Sequence, residues 1–218
     1  MTTGPALTIA VPRGALFPAT LDLLERTGID VSEVRANDRK LLFSDIGIVT
    51  TRPSDVPTYV ESGAADVGIT GKDVLTEHDE RDVLELLDLG YGGCTMVLAC
   101  IDRDPDPIEE ALRRHGYLRI ATKYDRTALR HIKATGRQAE IVAVKGSVEL
   151  APLTGMVDAI VDLTATGTTL RENGLVVREQ LQRSTARLIA NPAAYRLKAA
   201  AVDAFLSALQ EATAAGAT

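Results

Sequence analysis

The sequence predicts an α/β protein of two similar lobes around a cleft. Three observations carry that expectation. Short apolar runs alternate with helical patterns along most of the chain. The stretch GAADVGITG (63–71) is echoed by GMVDAIVDL (155–163). Each has a helix-ending glycine, a carboxylate three residues later and an apolar strand. The length, 218 residues, suffices for one large domain or two small ones.

LTIAVP (7–12) reads as a strand and FPATLDLLERTG (17–28) as a helix with Leu21 and Leu24 on one face and Gly28 as its stop. KLLF (40–43) and DIGIVTT (45–51) read as strands. SDVPTYVESG (54–63) reads as a helix capped by Ser54 and closed by glycine. ADVGIT (65–70) is a buried strand leading into GKDVL. Then follow a strand TMVLACI (95–101), a helix DPIEEALRRHG (106–116), a strand RIATKY (119–124) and a helix TALRHIKATG (127–136). EIVAVKG (140–146) is a strand, SVELAPLTG (147–155) a short helix and DAIVDL (158–163) a strand. Asn191-Pro192 opens a last helix with Val202, Phe205, Leu206 and Leu209 on its apolar face. The end, 212–218, is expected to fray. The alternation predicts mostly parallel sheets. No low-complexity linker is visible, so the lobes are expected to join by direct crossings: residues 1–97 with 181–218 returning, and residues 98–180.

Lys and Arg number 24 against 30 Asp and Glu, a net charge of −6. That balance disfavours nonspecific binding to nucleic acid or to an anionic membrane. It leaves room for an anionic small substrate met by a local group of arginines. The start, MTTGPALTIAVPRG, has no basic leader region, and the run 6–11 is too short for a signal-peptide core. No apolar run reaches the length of a membrane span. The expected compartment is the cytoplasm, where Cys94 and Cys100, six apart and matching no zinc pattern, would be free thiols. His78 and His115 lie in charged segments and His131 on a helix, so none is expected in catalysis.

The densest chemical signal is DAIVDLTATGTTLRENG (158–174), a strand that gives way to small hydroxyl residues, a glycine and a helix. Small residues let a backbone approach a ligand closely. Unpartnered N–H groups at a helix start attract an anion. Thr164, Ala165, Thr166, Gly167, Thr168 and Thr169 therefore form a candidate phosphate loop, against the plainer reading of a capped turn rich in threonine. There is no G-x-G-x-x-G and no P-loop lysine. Asp162, near the carboxyl end of the strand, suits ribose hydroxyls. Asp158 is a weaker candidate, because a structural role at the strand start is equally open to it.

This stretch closely resembles the phosphoribosyl-pyrophosphate loop of the ATP phosphoribosyltransferases. LTIAVPRGAL, RPSDVPTYVESGAADVGITGKDVL, LLDLGYGGC and KGSVELAPLTG resemble the same family in the same order, over nearly the whole chain. The resemblance implies two lobes like those of type II periplasmic binding proteins. It implies transfer of a phosphoribosyl group from phosphoribosyl pyrophosphate to N1 of ATP, the first step of histidine biosynthesis. The length matches the family's short form. That form implies a regulatory subunit similar to histidyl-tRNA synthetase, and a homodimer when the chain is alone. Mg²⁺ would travel with the substrates. Arg39 and Arg52 resemble family arginines that face the ATP and pyrophosphate side and are expected to neutralise the leaving pyrophosphate, although Lys40 beside Arg39 leaves that assignment open. Arg13, Lys72 and Asp73 would face ATP. Lys123 and Glu149 are weaker candidates. One departure stands out: Pro12-Arg13-Gly14-Ala15 lacks the arginine the family commonly has at the fourth place.

Adenine N1 has a free lone pair at neutral pH, so the family reaction needs no activated nucleophile. Its demand is charge neutralisation. Two other readings use similar architecture or chemistry: a two-lobed solute-binding or ligand-sensing protein, and a nucleobase phosphoribosyltransferase.

Overall fold

The computed structural model describes residues 6–215. Contacts divide the chain into two units, Met1–Gly92 with Thr185–Thr218, and Gly93–Ser184. The first begins with β1 (Ile9–Pro12), α1 (Phe17–Arg26), α2 (Ser32–Ala36), β2 (Leu42–Phe43) and β3 (Ile48–Thr51). It continues through α3 (Val56–Glu61), β4 (Val67–Gly71), α4 (Lys72–Glu77) and β5 (Leu84–Asp88). The second carries β6 (Cys94–Ile101), α5 (Pro107–His115), β7 (Leu118–Thr122), α6 (Asp125–Ala134) and β8 (Ala139–Ala143). It ends with α7 (Leu150–Leu153), β9 (Ala159–Thr164), α8 (Thr168–Glu172) and β10 (Leu175–Ser184). The chain then returns to the first unit with β11 (Ala186–Ala190), α9 (Pro192–Leu197) and α10 (Ala199–Ala215).

Each unit is built on one sheet. The first has the order β2-β3-β1-β4-β11-β5 and the second β10-β6-β9-β7-β8. In the first, β1 lies parallel to β3 and β4, while β11 runs antiparallel to β4 and β5, and β2 antiparallel to β3. In the second, β7 lies parallel to β8 and β9, while β6 runs antiparallel to β9 and β10. The runs β3-β1-β4-β11-β5 and β8-β7-β9-β6-β10 therefore match strand for strand and direction for direction. The sheets are mixed, not mostly parallel as the alternation predicted. The difference comes partly from β2 and β6, expected as strands but paired antiparallel with β3 and β9, and partly from β5, β10 and β11, which the apolar pattern did not reveal. β10, for example, reads LVVREQLQRS and is charged along much of its length.

The internal echo has a structural cause. Gly63 and Gly155 take left-handed φ values of 76° and 72°, ending the helical turns before β4 and β9. The following aspartates then make the same paired contact. Thr8 N–H donates to Asp66 Oδ2 (2.7 Å), and Asp66 N–H donates back to the Thr8 carbonyl (2.8 Å). Arg119 N–H donates to Asp158 Oδ2 (2.8 Å), and Asp158 N–H donates back to the Arg119 carbonyl (2.9 Å). Each carboxylate also holds a cation: Lys198 Nζ at 2.7 Å from Asp66 and Arg119 Nη2 at 3.1 Å from Asp158. Both aspartates thus lock the start of one parallel strand to the start of the next.

The first core joins β1, β4 and β11 to α1 and α10, with Leu21, Leu24, Ile69, Leu188, Val202 and Leu209 fully enclosed. The second joins β6, β7 and β9 to α5 and α6 through Met96, Leu98, Ile120, Ile132 and Val161. Gly68 lets α3 approach β4 closely, since a Cβ there would stand 2.7 Å from Val56 Cγ1 and 2.8 Å from Val60 Cγ2.

Two helix starts differ from expectation. Ser54 does not cap α3; the N-cap is Asp55, and Ser54 Oγ donates to the Asp55 carboxylate (3.2 Å). The tail is two helices, α9 capped by Asn191, which accepts from Ala194 N–H (2.9 Å), and then α10. Val202, Phe205 and Leu209 are buried as expected. Of the segment expected to fray, 212–215 continues α10, while 216–218, like 1–5 at the start, lies outside the described residues.

Candidate active site

Ligands of open α/β sheets gather at the carboxyl ends of the parallel strands. In the first unit those ends are followed by Arg13 after β1, Arg52 after β3, and Lys72 and Asp73 after β4. Arg39 lies just before β2, whose antiparallel pairing with β3 brings it to the same edge. In the second unit the edge holds Lys123 after β7, Glu149 beyond β8 and the threonine loop after β9. Asp158 stands apart. It lies at the amino end of β9, a strand of six residues, so about 20 Å of chain separates it from the loop. Its carboxylate is engaged by Arg119.

The loop is the clearest piece of site geometry. β9 ends at Thr164, and Gly167 turns the chain with φ 72° and ψ 5° before α8. A residue with a Cβ is strained in that conformation. Gly167 N–H donates to Thr164 Oγ1 (2.8 Å), which closes the turn. Thr166 Oγ1 and Thr168 Oγ1 are hydrogen-bonded at 2.9 Å. The N–H groups of Ala165 and Thr166 have no acceptor among the described residues. Asp162, Glu149 and Thr164, Thr166, Thr168 and Thr169 line one pocket of about 160 Å³ with Ala165 and Val97. α8 has only five residues, so few peptide dipoles add along its axis. The donors available to an anion are therefore the loop's own N–H and hydroxyl groups.

Asp162 projects at the pocket with Leu163 N–H donating to its Oδ1 (2.8 Å) and Lys123 Nζ 3.9 Å away. Lys123 also lies over the Tyr124 ring at 5.1 Å. This brings together two residues that the sequence ranked separately.

In the first unit the cations divide into two kinds. Arg13 is committed within the protein. Its Nε donates to Thr50 Oγ1 (2.9 Å), Nη1 to the Asp38 carbonyl (2.6 Å) and Nη2 to the Lys40 carbonyl (2.9 Å). It thereby pins the segment that carries Arg39, whose turn is also closed by Asn37 Oδ1 accepting from the N–H groups of Arg39 (3.2 Å) and Lys40 (3.1 Å). Lys40 pairs with Glu33 (2.5 Å). The side chains of Arg39 and Arg52 are exposed and have no hydrogen-bond or ion-pair partner among the described residues. Lys72 pairs with Glu85 (2.6 Å). Asp73 is buried, and its carboxylate lies back over Gly71, where a Cβ would collide with it.

His131 and Cys100 are engaged within the second unit. His131 Nε2 lies 2.6 Å from Glu179 Oε2, and Arg137 holds the same carboxylate with two bonds of 2.7 and 2.8 Å. Neither Cys94 nor Cys100 is in a disulfide. Burial pushes the Cys100 thiol up, opposed by Arg178, so it is a poor nucleophile.

Two matched α/β units, one with a threonine-glycine loop at its carboxyl edge, define a protein built like the type II periplasmic binding proteins. The periplasmic aliphatic sulphonate-binding protein SsuA of Escherichia coli has this fold, with a TM-score of 0.63 at 16% identity over 95% of this chain and 68% of that one. The profile of the ATP phosphoribosyltransferases (HisG) matches residues 52–211. The chain belongs to that family, the enzymes of the first step of histidine biosynthesis. It is 51% identical to the ATP phosphoribosyltransferase of Rubrobacter xylanophilus over 93% of this chain and 94% of that protein. It is 43% identical to that of Bacillus licheniformis over 94% and 95%. Among solved structures, the ATP phosphoribosyl transferase (HisG:HisZ) complex from Thermotoga maritima matches with a TM-score of 0.80 and 35% identity, covering 95% of this chain and 98% of that one. Among the described residues no helix is long and apolar enough to cross a membrane.

Proposed function

We propose that the loop 164–169 holds the 5-phosphate of phosphoribosyl pyrophosphate while Asp162, with Glu149, takes the ribose hydroxyls. The observation that carries this reading is the pocket lined by Asp162, Glu149 and the loop threonines, together with Ala165 and Thr166, whose N–H groups have no acceptor among the described residues. Lone-pair attack by adenine N1 on C1 forms the new bond as the C1–O bond breaks. The electron pair leaves with pyrophosphate. Arg39 and Arg52, exposed at this edge and without a hydrogen-bond or ion-pair partner among the described residues, stabilise the charge that develops there. Arg13 serves the ATP side by fixing the 38–40 segment. Lys72 and Asp73 also belong to that side by their place after β4, Lys72 by exchanging Glu85 for a phosphate.

Mg²⁺ enters as part of the substrates. The pocket's protein carboxylates are Asp162 and Glu149, a donor set that fits an ion keeping phosphate oxygens and water as its other ligands. The ion's contribution is to neutralise pyrophosphate.

The Thermotoga maritima protein stands in a HisG:HisZ complex. That likeness supports a hetero-oligomer with a separate regulatory subunit; the similarity of that subunit to histidyl-tRNA synthetase and a homodimer of the chain alone rest on the family resemblance. The reaction then takes place in the cytoplasm, with both thiols reduced.

The test is pyrophosphate release by the purified chain with ATP, phosphoribosyl pyrophosphate and Mg²⁺, each omitted in turn, with and without the regulatory subunit. Release that needs all three is expected. Gly167→Val is expected to abolish saturation by phosphoribosyl pyrophosphate. Saturation at the wild-type concentration in that variant would remove the loop from the site.

A further inference from the structure

We propose that Arg171 is a positioning residue for the phosphate loop, strapping the chain on either side of Gly167 and setting the Thr166–Thr168 hydroxyl pair to donate toward an anion. The inference rests on the reading that this loop holds the 5-phosphate. One arm of the guanidinium, Nη1, donates to the Thr166 carbonyl at 2.9 Å. The other, Nη2, donates to Thr168 Oγ1 at 3.0 Å. The group lies over Gly167, where a Cβ would stand 3.0 Å from Nη1. One planar fork therefore joins the residue before the left-handed turn to the residue after it. Arg171 reaches Thr168 because residues three apart share a helix face.

The hydrogen-bond polarity gives the strap a chemical consequence. A guanidinium only donates. Thr166 Oγ1 and Thr168 Oγ1 share one hydrogen bond of 2.9 Å, which uses one of the pair's two hydroxyl hydrogens. Thr168 N–H, at 3.4 Å, also points at Thr166 Oγ1. The shared bond, Arg171 and this N–H take three of the pair's four acceptor positions, so what remains for a ligand is the second hydroxyl hydrogen and a single acceptor position. A phosphate oxygen accepts that hydrogen, and the loss of acceptor positions makes the pair a poorer ligand for a cation. Thr166 and Thr168 line the pocket, and Arg171 is not among its lining residues, so its action passes through them.

Steady-state kinetics on Arg171→Met, Arg171→Lys, Thr168→Val and the Met/Val double variant test this, in the complex if the chain alone is inactive. Arg171→Met should raise KM for phosphoribosyl pyrophosphate about tenfold, the loss of a charge-assisted bond. KM for ATP and kcat should stay within about twofold of wild type if only this ground-state contact is lost. Arg171→Lys keeps the charge without the fork and should recover less than half of the loss. The double variant should be no more than about threefold worse than the poorer single variant, because both changes break one unit. Multiplicative losses, full recovery by lysine, or an unchanged KM in Arg171→Met would each overturn the proposal. Gly167→Val separates the two readings. If it destroys saturation by phosphoribosyl pyrophosphate while Arg171→Met is silent, only the strap falls. If both are silent, the loop assignment falls with it.

Discussion

The two sheets are the same frame carrying opposite chemistry. Strand for strand, β1 corresponds to β7, β3 to β8 and β4 to β9, and the aspartates that lock their starts, Asp66 and Asp158, make the same contacts. At the carboxyl edges the likeness ends. The first unit follows its strands with Arg13, Arg52 and Lys72, and the second follows its own mainly with Lys123, Glu149 and a run of threonines around Gly167. Fixed cations suit a leaving group that gains charge. Neutral donors beside carboxylates suit a sugar phosphate that must be held without being trapped. On the function proposed above, the shared amino ends carry stability and the divergent carboxyl ends carry the chemistry.

The largest expected effect tests the cationic edge. Arg52→Ala should lower kcat/KM by about 10²–10³, the cost of one well-placed donor to developing charge, and the fall should lie in kcat. Wild-type turnover would remove Arg52 from the chemistry. Arg13→Met comes next, at about tenfold in kcat/KM, because losing the charge-assisted bonds to the Asp38 and Lys40 carbonyls loosens the segment bearing Arg39. A direct ATP contact would instead appear as a rise in KM for ATP alone.

The common amino ends give a smaller and symmetrical prediction. Asp66→Asn and Asp158→Asn should each cost about 1–2 kcal/mol of stability, lowering Tm by roughly 3–6 °C, with KM values unchanged. A selective effect of Asp158→Asn on phosphoribosyl pyrophosphate would break the equivalence and return that residue to the site. The smallest effect is in acid. The Arg137 fork, and then His131, hold the Glu179 carboxyl below its ordinary value of 4.5, against the opposing effect of burial. Its contribution is complete above the unfolded pKa and is lost as pH falls through the lower folded one. The Tm difference between wild type and Glu179→Gln should accordingly shrink as pH drops below 4.5.

The parallel strands and the threonine loop were legible in the sequence because each has a local signature: a continuous apolar run, or small hydroxyl residues at a strand end. The echo at Gly63 and Gly155 also foretold the duplicated frame. β5, β10 and β11 were not legible. Their pairing is long-range, and β10 bears charged residues that no period assigns to a face. Ser54 failed as a cap because a hydroxyl beside a carboxylate offers two candidates and only geometry chooses between them. Likewise, composition could not reveal that Arg13 spends its guanidinium on Thr50 and two carbonyls while Arg39 and Arg52 keep theirs clear.

The returning strand has a consequence for how the chain is made. β11 lies between β4 and β5 in the first sheet, yet it leaves the ribosome after the whole of β6 through β10. Until residue 190 emerges, β4 and β5 have no common neighbour, and the first sheet waits in two pieces. The second sheet, drawn from the uninterrupted stretch 93–184, has all its strands sooner. A nascent chain stalled before β11 would therefore carry a finished threonine loop and an unsealed first sheet, with the edge of β4 open to pairing with another chain.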